Sequence, residues 1–234
     1  MKAIPCGNKD KVSMKNHNQV WRLSLNNLKN EVVPLFSKPV FLTELIMSDE
    51  ETKTLIDYYN KQDFYIARDE HETSCEITTN KNVLNDLLWL NKKLEDRFEQ
   101  FNKEILHYEN KIGICNSWFT RTSKNQDTTY HHHANFMWTG SFYFGNDDNY
   151  DQYFSLRNFN NRPFYVPSKE LNIYNADEWS WKIKNNMVIF FPSEMNHQLV
   201  KNKHNTIRKS LAFNMLPLGE INNGEFKVKF YENQ

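Results

Sequence analysis

The chain has 234 residues and carries 29 Lys plus Arg against 29 Asp plus Glu, so no excess charge holds it on nucleic acid or an acidic membrane. Its 39% hydrophobic share, with 17 Phe, 11 Tyr and 6 Trp, suffices for one well-buried globular domain, and the mean hydropathy of -0.78 reflects Asn and Lys between apolar runs. Three scattered cysteines, Cys6, Cys75 and Cys115, form no CxxC pair, which excludes a disulfide scaffold and a Cys-ligated zinc site and fits a reducing compartment.

Residues 1–19 are polar and read as a flexible N-terminal segment, with residues 20–234 as a single domain. The opening stretch has no apolar core long enough for a signal peptide, and nowhere do about 18 apolar residues run together, so the expectation is a cytoplasmic protein without membrane contact. VWRLSLNNL and VVPLFSKPVFL supply short β-compatible runs, with Pro34 and Pro39 marking edges or bends. Residues 49–60 open with acidic residues suited to a helix N-terminus and offer Leu55, Ile56 and Tyr59 as an apolar face. From Asn82 to Ile105, Leu84, Leu87, Leu88, Leu94, Phe98, Phe101 and Ile105 recur mostly three or four apart, predicting one or two helices that cover a sheet.

After Lys111 the pattern changes to strands: IGICNSWFTR, TTYHHHANFMW, GSFYFG, WSWKI, MVIFF and IRKSLAFNML are aromatic or β-branched and separated by Asn, Asp, Gly and Pro. INNGEFKVKF suggests a closing hairpin. The segment Gly145–Arg162 reads as a solvated connection or part of a substrate lid. The result is a mainly β fold with packed helices in its first half, a distorted barrel or double-sheet sandwich. A dinucleotide-binding fold is excluded, since no Gly-rich strand-to-helix turn or sustained βα alternation occurs.

Three consecutive histidines provide the main chemical signal. On a strand, His131 and His133 point to one face, His132 and Tyr130 to the other, and Asn135 extends the face of the first pair. Two imidazoles about 6 to 7 Å apart at Cα can converge on one ion, and His197, after the MVIFFPSEMN run, can bring a third from a distant strand. Such a set holds a metal while leaving open positions, and imidazoles suit Fe, Zn, Cu and Ni alike. The same run also fits a solvated strand edge, and His197 a satisfied interior histidine. Arg208 opens RKSLAFN, in which Arg208, Ser210, Ala212 and Asn214 share a face. A guanidinium among apolar neighbours is costly without an anion, which is either a protein carboxylate or a bound one held through two parallel hydrogen bonds, with Ser210 adding a hydroxyl.

HHHANFMWTGSFYF resembles the HxHxN...SG-aromatic segment of the 2-oxoglutarate-Fe(II) oxygenase family of marine bacteria and phages, with Thr139 in place of Ser. FPSEMNH resembles its FPS...H segment and RKSLAFN its R-x-S-x-x-F-N ending; upstream, IGICNSWF and PLFSKPVF are similar to its Trp-terminated strand and LFxxPV element. The resemblance implies a double-stranded β-helix, or jelly roll, with Fe(II) held by His131, His133 and His197. It further implies 2-oxoglutarate held by Arg208 and Ser210, with Asn135 bonding cosubstrate, iron-bound solvent or substrate. The implied activity is dioxygen-dependent hydroxylation of a small-molecule or peptide substrate, with succinate and CO2 as coproducts.

His133 falls where most of the wider superfamily has Asp or Glu. Three neutral ligands leave the site more positive, which alters redox potential, metal preference and cosubstrate affinity, and Asp127 is a candidate to restore a carboxylate. Two other functions fit the same residues: a cofactor-independent three-histidine dioxygenase, with Arg208 binding the substrate itself, and a noncatalytic binding module stiffened by structural zinc. Trp118 and Tyr143 are candidates for pocket walls or for core packing.

Overall fold

The computed structural model describes residues 37–66, 74–146, 148–149, 151–159, 166–221 and 227–230. The VWRLSLNNL run and the proposed boundary at residue 19 lie outside them. The unit from Lys38 to Gln234 carries all the elements that follow.

Two helices back the larger sheet. α1 (Asp49–Asn60) starts in a reciprocal cap: the Ser48 hydroxyl accepts from the Glu51 N–H at 3.1 Å, and the Glu51 carboxylate accepts from the Ser48 N–H at 2.8 Å. The long helical pattern resolves into a short turn at Val83–Asn85, α2 (Leu88–Phe101) and a wider final turn at Asn102–Leu106 ending on His107 at φ 56. Leu90, Leu94, Phe98 and Phe101 of α2 are buried, as the 3.6-residue period requires. Lys93 of α2 pairs with Glu51 at the start of α1, joining the two helices.

The strands are β1 (Phe41–Glu44), β2 (Phe64–Ile66), β3 (Glu76–Thr78), β4 (Ile112–Thr122), β5 (Trp138–Tyr143), β6 (Tyr153–Arg157), β7 (Glu178–Lys182), β8 (Met187–Pro192), β9 (Asn196–Leu199), β10 (Arg208–Pro217), β11 (Gly219–Ile221) and β12 (Val228–Phe230). They form a seven-stranded sheet in the order β1-β8-β5-β10-β4-β3-β2, a three-stranded sheet β7-β6-β9, and the closing hairpin β11-β12. Their pairings are antiparallel. This is the double-stranded β-helix architecture expected from the sequence.

Alternation along β10 separates the two faces of the large sheet. Leu211, Phe213 and Met215 join the core beneath α1 and α2, with Phe98, Phe119, Trp138 and Phe190. Arg208, Ser210 and Asn214 take the opposite parity and are also buried. A second cluster, including Phe154 and Leu156 of β6, Ile189 and Phe191 of β8 and Leu199 of β9, fills the space between the two sheets.

Opposite Asn214 the ladder carries a bulge. Asn214 pairs with Asn116 and Met215 with Ile114, leaving Cys115 as the extra residue. The bulge changes the parity of β4: Ile112 and Ile114 belong to the helix-side core, while Asn116, Trp118 and Thr120 line the interior cavity.

Two sequence expectations need correction. TTYHHHANFMW does not form one strand: His131 makes an isolated antiparallel bridge to His197, Ala134–Asn135 form a turn, and β5 begins only at Trp138. Asn135 adopts φ 70, a left-handed conformation that an asparagine tolerates and a regular strand does not contain. Nor is Gly145–Arg162 simply a connection, because β6 lies within it, between β7 and β9. Its alternating Phe154 and Leu156 are paid for by inter-sheet packing, a pattern too short to stand out among the surrounding Asn and Asp residues.

Candidate active site

The three histidines converge. Their ring centroids stand 4.3 Å apart for His131 and His197, 4.9 Å for His133 and His197, and 5.3 Å for His131 and His133. One ring nitrogen from each lies within 4.8 Å of the other two, a spacing that can accommodate one ion. Among the described residues this triad contains no carboxylate, and Asp127 instead engages Ser74, whose hydroxyl donates to its side chain at 3.2 Å.

Backbone pairing explains the convergence. The His131 N–H donates to the His197 carbonyl at 3.1 Å and the His197 N–H returns a bond at 2.8 Å, while the His133 N–H donates to the Ser193 carbonyl at 2.9 Å. The histidine segment thus docks beside β9 without the full ladder expected of it. His132 is exposed, as alternation predicts.

Each ring also has a partner at Nδ1. That atom faces the Thr129 carbonyl at 2.9 Å in His131, the Met195 carbonyl at 3.1 Å in His197 and the Asn214 side-chain oxygen at 2.6 Å in His133. When Nδ1 donates to these acceptors, Nε2 keeps a free lone pair for a metal. Burial, with a smaller push from the neighbouring histidines, holds the His133 imidazole at about 4 against the opposing hydrogen bond to Asn214, and holds His197 well below its ordinary value. Both are therefore neutral near pH 7, the protonation state in which imidazole ligates.

The imidazoles open onto a cavity of about 320 Å³ whose walls include Trp118, Thr139, Phe154, Phe191 and Ser210. The Trp118 ring lies 5.6 Å from that of His133. Arg208 stands on the same inward-facing register of β10, only 1% exposed, and is not itself among the residues lining this cavity. One guanidinium N–H donates to the Val200 carbonyl at 2.8 Å, but Nε and Nη2 have no hydrogen-bond partner among the described residues. Burial lowers its pKa to about 10, which leaves it cationic at neutral pH. A buried cation with unused donors calls for an anion, and a planar guanidinium matches a carboxylate.

Two further groups were less evident in the sequence. Tyr143 on β5 is opposite Ser210 and fully buried; its hydroxyl has no close hydrogen-bond partner among the described residues, and burial pushes its pKa up to about 12, with Ser141 opposing the shift. Thr122, opposite Arg208, also buries a hydroxyl without a partner. Only strand register, invisible in linear spacing, brings these groups beside the Arg208–Ser210 pair. Asn135, by contrast, is exposed on its turn and is not among the residues lining the cavity.

Residues 116–214 match a family model described as "Putative 2OG-Fe(II) oxygenase", a span that contains the histidine triad, Arg208 and Ser210. No curated protein matches the chain. Among solved structures, an oxidoreductase of the 2OG-Fe(II) oxygenase family from Burkholderia pseudomallei is 9% identical, with 75% of this chain and 84% of that one covered at a TM-score of 0.54. A Pseudomonas putida prolyl-4-hydroxylase is 10% identical, with 77% and 94% covered and a TM-score of 0.52. HygX from Streptomyces hygroscopicus, solved with nickel, 2-oxoglutarate and hygromycin B, is 9% identical, with 77% and 83% covered and a TM-score of 0.51. The chain therefore has a 2OG-Fe(II) oxygenase-like fold carrying a histidine-rich candidate metal site.

Proposed function

We propose that the protein is a 2-oxoglutarate- and Fe(II)-dependent dioxygenase of the HxH...H form, which hydroxylates a small-molecule or peptide substrate. The observation that carries this reading is Arg208: a fully buried cation with two unpartnered donor atoms, on the strand that also contributes Ser210 to the cavity bearing the three imidazoles.

The residues present fit both groups. His131, His133 and His197 offer neutral ring nitrogens for Fe(II), with their Nδ1 partners fixing ring orientation. Arg208 and Ser210, with Tyr143 and Thr122 beside them, provide donors for the far carboxylate of 2-oxoglutarate. When bound, the metal and cosubstrate supply the oxidation, in which dioxygen gives one atom to succinate and one to the substrate, with loss of CO2.

The chain's own contribution is positional. Arg208 anchors one end of the cosubstrate, and the packed faces of Phe154 and Phe191 restrict water beside the triad. Trp118 forms a wall against which a substrate can rest close to His133. Asn135, exposed on its turn, is assigned no role in this proposal.

The experiment is anaerobic reconstitution with Fe(II), followed by 2-oxoglutarate titration while recording metal-to-ligand charge-transfer absorption. The band should appear in the wild type, weaken in Arg208→Ala and be absent from His197→Ala. Equal bands in all three would overturn the residue assignment. Dioxygen uptake without succinate would instead favour the three-histidine dioxygenase, and tight zinc without cosubstrate binding the structural module.

A further inference from the structure

His133 is the one triad histidine whose Nδ1 faces a side chain and not a backbone carbonyl. That side chain, Asn214, lies 2.6 Å away across the sheet interior and is only 2% exposed. Its oxygen also accepts from the Thr139 hydroxyl at 2.9 Å, and Thr139 in turn meets the Ser193 hydroxyl at 2.8 Å. Its amide nitrogen donates to the Asn116 side-chain oxygen at 2.9 Å.

We infer that Asn214 is a positioning residue for the metal site: its side-chain oxygen keeps the His133 proton on Nδ1 and thereby turns the Nε2 lone pair toward the other two imidazoles. This deepens the proposed function and rests on the triad being the metal site.

A primary amide has one oxygen and one nitrogen end, so the end committed to Asn116 determines the end presented to His133. With the amide nitrogen on Asn116, the oxygen faces the imidazole and accepts from Nδ1 at 2.6 Å, while the Thr139 hydroxyl, 3.3 Å from the same nitrogen, directs its own proton to the Asn214 oxygen at 2.9 Å. A neutral imidazole has one N–H, so Nε2 is left as an acceptor, available to a metal. Were the amide reversed, its N–H would face Nδ1, drive the proton to Nε2 and block ligation.

The fold supplies the placement. The bulge at Cys115 changes the parity of β4, so Asn116 reaches the interior opposite Asn214 while Ile114 remains in the helix-side core. The Cys115 thiol donates to the Asn214 carbonyl at 3.2 Å, which holds the backbone at that irregularity. Register then places Thr139 opposite Asn214 on the other flank. Asn214 is thus gripped from both neighbouring strands. A carbonyl acceptor also makes the ring a better donor to a metal without placing a negative charge in the interior, which matters where a carboxylate ligand is missing.

The test combines imidazole nitrogen NMR of the metal-free protein with metal titration, comparing wild type, Asn214→Leu and Asn214→Asp. In the wild type, His133 should be the Nδ1–H tautomer before any metal is added. Asn214→Leu should lose that preference and bind Co(II) about 10- to 100-fold more weakly. Asn214→Asp retains an acceptor and should restore the tautomer; the paired comparison separates positioning from a packing defect. Thr139→Val, which keeps the Asn214 oxygen, should preserve the Nδ1–H form if Asn214→Leu does not fold. An Nε2–H tautomer in the wild type, or an unchanged tautomer in folded Asn214→Leu, would overturn the inference. Wild type that shows the Nδ1–H tautomer, lost in Asn214→Leu, but binds no metal would overturn the function proposed above and the metal-site role with it, leaving to Asn214 only control of the His133 tautomer.

Discussion

His131 and His197 exchange two backbone hydrogen bonds, at 3.1 and 2.8 Å, and hold their rings 4.3 Å apart. The same contact that docks the histidine segment on β9 therefore builds two corners of the candidate metal site. A ligand that favours this arrangement should stabilise the fold in proportion to the logarithm of its concentration. At 100 times its dissociation constant, Fe(II) or Co(II) should add ~2.7 kcal/mol to wild-type stability. His197→Ala should lose this increment in thermal unfolding measured with and without the ion. An equal metal-induced shift in both proteins would place the ion elsewhere.

Arg208 carries a different stability signature. Its burial is incompletely compensated by the Val200 carbonyl, so replacement by a similarly long apolar side chain removes a desolvation cost. Arg208→Met should match or exceed the stability of wild type without ligand, by up to ~2 kcal/mol, yet show no stabilisation by 2-oxoglutarate. Chemical denaturation with and without the cosubstrate checks both halves. A cosubstrate response preserved in the variant would remove Arg208 from the anion site.

Gly140 faces Phe213 across β5 and β10, and a methyl group there would collide with the Phe213 ring. Gly140→Ala should cost about 1 to 3 kcal/mol through overpacking. Combination with Phe213→Leu should recover part of the loss, giving a non-additive pair in denaturant melts. Simple additivity would mean that the ring is not the obstacle.

Glu76 on β3 makes a two-pronged ion pair with Arg121 on β4, at 2.7 and 2.8 Å. The Arg121 guanidinium holds the Glu76 carboxyl below its ordinary value. A depressed carboxylate pKa means that the unfolded chain binds the proton more readily. Its stabilisation is therefore present above the ordinary carboxylate range and is lost as pH falls through the lower folded value. With solvent screening the pair should contribute about 0.5 to 1 kcal/mol at neutral pH. Glu76→Gln should remove that amount and flatten this part of the acid limb in pH-dependent melts; an unchanged acid profile would deny the pair that role.

The periodic parts of the fold were readable because one residue's burial implies that of the next. Leu90, Leu94 and Phe98 repeat along α2, while Leu211 and Phe213 alternate on β10. His131, His133 and His197 could be selected for the same reason: the metal chemistry constrains residue type as well as spacing. The single-bridge docking of the histidine segment could not be read, since alternation gives a face without specifying how far a ladder extends. Asn135 illustrates the consequence, because an early turn carries it off the face on which a continued strand would place it. Asn214 was visible on the inward face of its strand, but the Asn116 side chain that orients its amide sits beside a bulge in β4, which leaves no mark in the β10 sequence.

The isolated bridge at His131 also has a mechanical consequence. β9 has a fully paired β6 on one side and, on the other, the chain leading into the histidines, joined by this bridge and by single bonds from the Thr128 N–H to the Leu199 carbonyl and from the His133 N–H to the Ser193 carbonyl just before β9. An ion shared by the triad would act as a cross-tie at this sparsely laced margin. Chelation should therefore be felt first as faster amide exchange at His131, His133 and His197, while the densely paired β4–β10–β5 ladder retains its protection.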